Sequence, residues 1–252
     1  INLFIGIEAP IKVAGLSGIV QLASGSMHAC ALRADGRVFC WGVNGQGQLG
    51  LPAASFPRAD NPTINPGPVR YKYLTAGYNM TCGISYSGAI LCWGDNSLGQ
   101  FGNGTTVSNH LPQRTLLGEQ PIALSAGRYS VAAVMQDGTV KVWGDSSTLL
   151  SARRPTTVPG LHNVKVVNAN FIMCAINHSG EAFCWGNTYS GRVGMEINPI
   201  TGEERPAKVE GLTEPIESIG GSSRTCAISK SQNVYCLSLF SEPASPVLIG
   251  TL

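Results

Sequence analysis

A unit of about fifty residues recurs five times along the chain, and a period of that size is the mark of a stacked repeat architecture. Ser24-Gly25-Ser26-Met27-His28-Ala29-Cys30-Ala31-Leu32 leads through Asp35-Gly36 to Val38-Phe39-Cys40-Trp41-Gly42. The pattern returns as Ala76-Gly77, Cys82-Gly83-Ile84, Ser87-Gly88 and Ile90-Leu91-Cys92-Trp93-Gly94. A third copy runs Ala126-Gly127, Ala132-Ala133-Val134, Asp137-Gly138 and Val140-Lys141-Val142-Trp143-Gly144. The fourth holds Cys174-Ala175-Ile176, Ser179-Gly180 and Phe183-Cys184-Trp185-Gly186, and the fifth Gly221, Cys226-Ala227-Ile228 and Val234-Tyr235-Cys236-Leu237.

All eight cysteines fall in this frame, as pairs ten positions apart: Cys30/Cys40, Cys82/Cys92, Cys174/Cys184 and Cys226/Cys236. The third copy has Ala132 and Val142 there, so a copy that loses one cysteine loses both, which places the partners within a copy. A three-residue loop such as Ala34-Asp35-Gly36, with glycine in the left-handed position, sets Cys30 opposite Cys40 across a hairpin. Opposed Cα atoms of a non-hydrogen-bonded pair lie about 4.5 Å apart, within reach of a disulfide. Zinc is the rival reading, but the close Cys-x-x-Cys pairs of zinc sites do not occur. Closing so short a loop contributes roughly 3 kcal/mol in the chain-entropy model. Disulfides persist in oxidising compartments, so the expected location is secreted or cell surface.

Each copy reads as short strands broken by glycine-rich turns, with no sustained helical periodicity. The expected fold is all-β: a β-propeller of about five four-stranded blades with disulfides across hairpins within blades. The chain resembles the regulator-of-chromosome-condensation repeats. The carrying residues are the A-G-x-x-x-x-C-A-L core, the D-G or S-G turn, the C-W-G strand and the loops Gly47-Gln48-Leu49-Gly50 and Gly99-Gln100-Phe101-Gly102. The cysteine-stapled form is similar to repeats of secreted bacterial proteins and plant receptor-kinase ectodomains. The resemblance implies a propeller that binds other proteins. Five copies and a disulfide frame set this chain apart from the founding nuclear exchange factor, which has more blades.

One propeller domain is expected over residues 1–252, with repeat cores near 20–50, 72–104, 122–150, 164–194 and 216–240. Six similar connecting strands are expected at 9–16, 66–71, 111–118, 154–161, 205–212 and 244–251. The terminal strands, 1–16 and 244–252, then either close the ring or pair with a neighbouring molecule. Leu3-Phe4-Ile5-Gly6 is similar to the Phe39-Cys40-Trp41-Gly42 strand, which makes Leu3, Phe4 and Ile5 the expected assembly strand. Ile1-Asn2-Leu3 lacks the methionine, basic region and cleavage pattern of a signal peptide and reads as a mature end.

The composition narrows the function. A net charge of +2, from 17 Lys+Arg and 15 Asp+Glu with no basic run, argues against nucleic-acid binding. No apolar run reaches the roughly 18 residues of a membrane helix, so no membrane insertion is expected. His28 occupies a core position, His178 a turn, and His110 and His162 connections without a local carboxylate partner. No H-E-x-x-H pair or G-x-S-x-G elbow occurs, so the chain is expected to be no enzyme and to need no cofactor or metal. Asp95-Asn96-Ser97 and Asp145-Ser146-Ser147 bring too few carboxylates for calcium and read as Asx turns. Trp41, Trp93, Trp143 and Trp185 recur at one repeat position and are expected in blade packing. Glycosylation sequons stand at Asn79, Asn103 and Asn177.

The reading is an extracellular, non-enzymatic protein-interaction or assembly module whose partner is another protein or copies of itself. The contact loops are expected at Leu51–Pro66 in copy one and Met195–Arg205 in copy four. The alternatives are a subunit of an extracellular filament joined through terminal strands, and an enzyme inhibitor, the latter implied by a β-lactamase-blocking propeller of the same repeat type.

Overall fold

The computed structural model describes residues 12–145, 152–170, 172–188, 191–193, 195–197, 204–221, 225–237 and 246–251. Among them every regular element is a strand, and the strands form five antiparallel sheets, the blades of a β-propeller. Blade 1 is β1 (Ile19–Ser24), β2 (His28–Arg33), β3 (Val38–Val43) and β4 (Arg58–Ile64). Blade 2 is β5 (Tyr71–Ala76), β6 (Met80–Ser85), β7 (Ile90–Gly94) and β8 (Asn109–Arg114). Blade 3 is β9 (Pro121–Ala126), β10 (Ser130–Met135), β11 (Val140–Gly144) and β12 (Ala152–Thr157). Blade 4 orders β13 (Val164–Asn168), β14 (Ile172–Asn177) and β15 (Ala182–Thr188) beside β18 (Glu204–Lys208), with β16 (Gly191–Val193) on β15 and β17 (Met195–Ile197) on β18. Blade 5 is β19 (Ile216–Gly220), β20 (Cys226–Ser229), β21 (Asn233–Leu237) and β22 (Pro246–Thr251).

The central hairpin is the same in every blade. Cys30 faces Cys40, Cys82 faces Cys92, Ala132 faces Val142, Cys174 faces Cys184 and Cys226 faces Cys236. All four cysteine pairs are disulfides with Cα atoms 4.0 to 4.1 Å apart. The turn glycines explain the register. Gly36, Gly88, Gly138 and Gly180 have φ of 79° to 84°, a left-handed conformation in which glycine has no Cβ penalty. Copy five has Gln232 at that place, and it adopts φ 66° all the same.

The outer strands lie elsewhere than the sequence suggests. Copy one has its fourth strand at 58–64, inside the segment expected as a contact loop, and not at 66–71. The others begin earlier than expected, at Asn109, Ala152 and Glu204. Each contains a proline, which an edge strand tolerates because its outward N–H bonds nothing in the sheet. Residues 12–16 form no strand, and β22 completes its own blade against β21. Leu3, Phe4 and Ile5 lie outside the described residues.

Blades meet through buried apolar layers. Cys30, Leu32, Val38 and Cys40 of blade 1 pack on Tyr71, Leu74 and Trp93 of blade 2. Blade 2 turns Met80, Cys82, Ile84 and Cys92 onto Leu124, Val131 and Trp143, and blade 3 turns Ala132, Val134, Val140 and Val142 onto Val164, Val167 and Trp185. Ile172, Cys174, Ile176 and Cys184 of blade 4 meet Ile216, Ile219 and Ala227. Among the described residues no comparable packing joins β19–β22 to β1–β4.

Candidate functional site

The junctions are built from a few repeated side chains. Asn44 anchors the loop after β3: its carbonyl oxygen accepts from Leu49 N at 2.9 Å, and its amide donates to Leu51 O and Phe56 O. Asn96 does the same in blade 2, accepting from Phe101 N at 2.8 Å. These loops turn the carbonyls of Gln48 and Gln100 toward the next blade. Trp93 Nε1 donates to Gln48 O at 2.9 Å and Trp143 Nε1 to Gln100 O at 2.8 Å. Trp93, Trp143 and Trp185 are buried between blades, whereas Trp41 is half-buried. Asn44 and Asn96 were legible as the residue two places after Trp-Gly, a signal the loop glycines obscure.

His28 lies in the first of these junctions and is buried. Thr81 Oγ1 donates to Gln48 O at 2.8 Å, so its lone pair accepts from His28 Nε2–H at 2.9 Å. Burial penalises the imidazolium and pushes the His28 pKa down to about 4. A neutral, donating imidazole here is a packing element. Among the described residues no three His, Cys, Asp or Glu side chains gather as a metal site requires.

A concave feature lies where the innermost strands of the blades converge. A cavity of about 670 Å³ is lined by the turns after the innermost strands: Ser24–Ser26, Ala76–Tyr78, Ala126–Arg128 and Asn168–Asn170. The glycines of these turns have a steric reason. A Cβ on Gly25 would collide with the Gly77 carbonyl, one on Gly77 with the Gly127 carbonyl, and one on Gly127 with the Ala169 carbonyl. Ser26 N donates to Tyr78 O and Tyr78 N to Gly127 O, so the turns climb on one another around the axis. The residue after each glycine, Ser26, Tyr78 and Arg128, lines the cavity together with Asn170, which follows Ala169.

Among the described residues that line it, Arg128 carries the charge. Its guanidinium lies 5.1 Å from the Tyr78 ring and 5.0 Å from the Tyr129 ring, and the two rings are 6.0 Å apart. Two phenols holding a guanidinium make a positive, stacking surface, the side-chain chemistry that dominates protein-binding hot spots. This cluster was not among the residues expected from the sequence.

The remaining expected residues are scattered. Asn79 is half-buried behind Tyr78 and lies at 3.5 Å from Gln48 Nε2. Asn103 is half-exposed, with its carbonyl oxygen accepting from Thr105 N and Oγ1. Asn177 is buried, its amide donating to Glu181 at 2.7 Å. Asp95 accepts from Ser97 N at 3.0 Å in an Asx turn, while 146–147 lie outside the described residues. Of the copy-four loop, 195–197 and 204–205 are strand and 198–203 are outside the described residues.

Two profiles described as Regulator of chromosome condensation (RCC1) repeat match this chain, one over 19–48 and 72–100 and the other over 35–84 and 87–134. The human probable E3 ubiquitin-protein ligase HERC6 is 31% identical over 233 residues, covering 83% of this chain and 22% of that protein. The mitochondrial RCC1 domain-containing protein RUG3 of Arabidopsis thaliana is 27% identical over 240 residues, covering 84% of this chain and 54% of that protein. The chain thus spans about half of one of these relatives and far less of the other. Among solved structures, Prp20p of Saccharomyces cerevisiae, described with its binding properties to Gsp1p and histones, superposes with a TM-score of 0.72 at 21% identity. That match covers 88% of this chain and 57% of the yeast one, and it is a likeness of fold.

Proposed function

Since this chain is a β-propeller built of regulator-of-chromosome-condensation repeats, we propose that it is a non-enzymatic protein-binding module acting outside the cell, with the axial mouth as its contact site. The observation that carries the site is Arg128 held between Tyr78 and Tyr129 beside a solvent-open cavity. Such a surface favours a segment of another protein whose side chains stack on the guanidinium and the phenols. Solved relatives of this fold bind proteins, as the description of Prp20p with Gsp1p and histones states. The extracellular assignment is supported by eight cysteines in four disulfides with none free.

A displayed peptide library, panned against the oxidised chain, tests the site. Binders that fail on Arg128→Ala and weaken on Tyr78→Ala support the reading, and binders indifferent to both changes sink it. The compartment is tested by thiol alkylation of the chain in fractions of its producing cell. A pool that is mostly reduced and intracellular contradicts the assignment.

A second reading has copies of the chain assembling through terminal strands. It is supported by β22, whose Val247, Leu248 and Ile249 are exposed, whereas the outer strands of the other blades carry arginine or lysine. Deleting residues 1–8 abolishes assembly if the Leu3–Ile5 strand is the one donated.

A further inference from the structure

The fold treats the three glycosylation sequons differently. Transfer of a glycan needs the asparagine side-chain nitrogen in solvent and the sequon hydroxyl within reach of the transferase, so the motif is used on surface loops. The sequon of Asn79 depends on Thr81, which is 0% exposed. Its hydroxyl bonds Gln48 O and His28 inside the first junction, so reaching it requires parting blades 1 and 2. Asn177 is 9% exposed, and its nitrogen already donates to Glu181 Oε2 at 2.7 Å. Glu181 is held in turn by Lys208 at 2.7 Å, which keeps that sequon closed.

Asn103 stands in the loop between β7 and β8, half-exposed, with its sequon residue Thr105 exposed. Its carbonyl oxygen accepts from Thr105 N at 3.0 Å and from Thr105 Oγ1 at 2.8 Å. Among the described residues nothing bonds its nitrogen, which has two hydrogens to offer. Gly104, at φ 83°, turns the loop and donates its N–H to Arg153 O at 2.8 Å. That bond holds the loop against β12 of the next blade.

We propose that Asn103 is the N-glycosylation site of this chain in its folded state, and that the fold closes the sequons of Asn79 and Asn177. The proposal rests on the extracellular half of the reading above, because the chain meets the transferase on a secretory route. The donor is a sugar linked to a lipid pyrophosphate. Asn103 Nδ2 forms a bond to the anomeric carbon as the bond from that carbon to the pyrophosphate oxygen breaks. The lipid pyrophosphate leaves with the electron pair, and the nitrogen loses its proton to a base of the transferase. Asn103 is not among the residues lining the cavity, so a glycan there leaves the proposed contact site open. It stands instead beside β12, an outer strand whose edge is otherwise a template for pairing.

A purified oligosaccharyl transferase with a lipid-pyrophosphate glycan donor, offered the oxidised folded chain and the reduced, alkylated chain, tests this. Intact mass counts the glycans and peptide mapping places them. The folded chain is expected to take one glycan, at Asn103, which is lost in Asn103→Gln and Thr105→Ala and kept in Thr105→Ser. The alkylated chain is expected to accept at Asn79 and Asn177 as well. A folded chain left bare at Asn103 while the alkylated chain is modified there overturns the proposal, as does transfer to folded Asn79 or Asn177. Transfer confined to Asn103 in both forms overturns the closure by the fold. Because the transferase is supplied, these failures are distinct from failure of the extracellular assignment, which thiol alkylation in cell fractions reads.

Discussion

Blades 2 and 3 share strand order, register and a second strand buried at all six positions, but they are fastened differently. Cys82–Cys92 crosses the hairpin of blade 2, and blade 3 sets Ala132 opposite Val142 in the same place. The hairpin therefore takes its register from the turn glycine and the junction layers, and the disulfide is added to a geometry that stands without it. Blade 3 is also the middle of five, with a blade packed on each face. Its layer toward blade 4 holds Val134, Val140, Val142, Val158 and Leu161 against Trp185, all buried.

The largest effect is expected where that layer has packing alone. Trp185→Ala should destabilise the chain by about 3–5 kcal/mol, as for large buried aromatics. Trp143→Ala, whose indole rests on the stapled side of blade 2, should cost a similar amount and also strands the Gln100 carbonyl. Urea unfolding with and without reductant separates them. The Trp185→Ala deficit should be the same in both buffers, and the Trp143→Ala deficit should deepen once Cys82–Cys92 is reduced. Equal behaviour would mean that the staple and the packing are not interchangeable as supports.

Transplanting the staple comes next. Ala132→Cys with Val142→Cys reproduces the opposed pair of blade 2, so a disulfide should form and stabilise by roughly 3 kcal/mol, less the apolar contact of Val142. The reverse exchange, Cys82→Ala with Cys92→Val, should lose a comparable amount while the chain still folds. Failure of the grafted thiols to oxidise would show that the hairpin of blade 3 differs from its neighbours.

The hairpins, the pairings and the recurrent tryptophans were legible because a cysteine spacing of ten around a left-handed glycine admits one register. The outer strand of copy one was not. Asn61-Pro62 and Asn65-Pro66 read as turn dipeptides, yet β4 runs through the first of them because an edge strand has no bond to lose there. The Arg128 cluster was hidden for another reason. The residue after each axial glycine differs from copy to copy, and Tyr78 and Arg128 become neighbours only when two blades stack.

Acid should distinguish the first junction from the others. His28 occupies the position held by Met80 in blade 2 and Ser130 in blade 3, and neither of those titrates. Its folded pKa of about 4 lies below the unfolded value of 6.5, so the unfolded chain binds the extra proton first. The stabilising effect of the neutral form is complete above pH 6.5 and is lost as the pH falls toward 4, by up to about 3 kcal/mol. His28→Met should flatten that part of the stability profile and leave neutral pH nearly unchanged. A wild-type profile level from pH 7 to 4 would refute the buried neutral imidazole.

The smallest effect concerns the fifth hairpin, which departs from the others at its turn. Blades 1 to 4 place glycine where φ is 79° to 84°, and blade 5 places Gln232 there at φ 66°. A residue with a Cβ is held in that conformation at a cost of roughly 1–2 kcal/mol. The glycine variant recovers part of it and loses some through its freer unfolded chain. Gln232→Gly should therefore stabilise blade 5 by about 1 kcal/mol. Amide exchange on β20 and β21 is the sensitive readout, because Cys226, Ile228, Val234 and Cys236 are half-buried where their counterparts in blades 1 to 4 are buried. Slower exchange confined to that hairpin is expected. Faster exchange would mean that the Gln232 side chain supports the turn by more than its backbone strain removes.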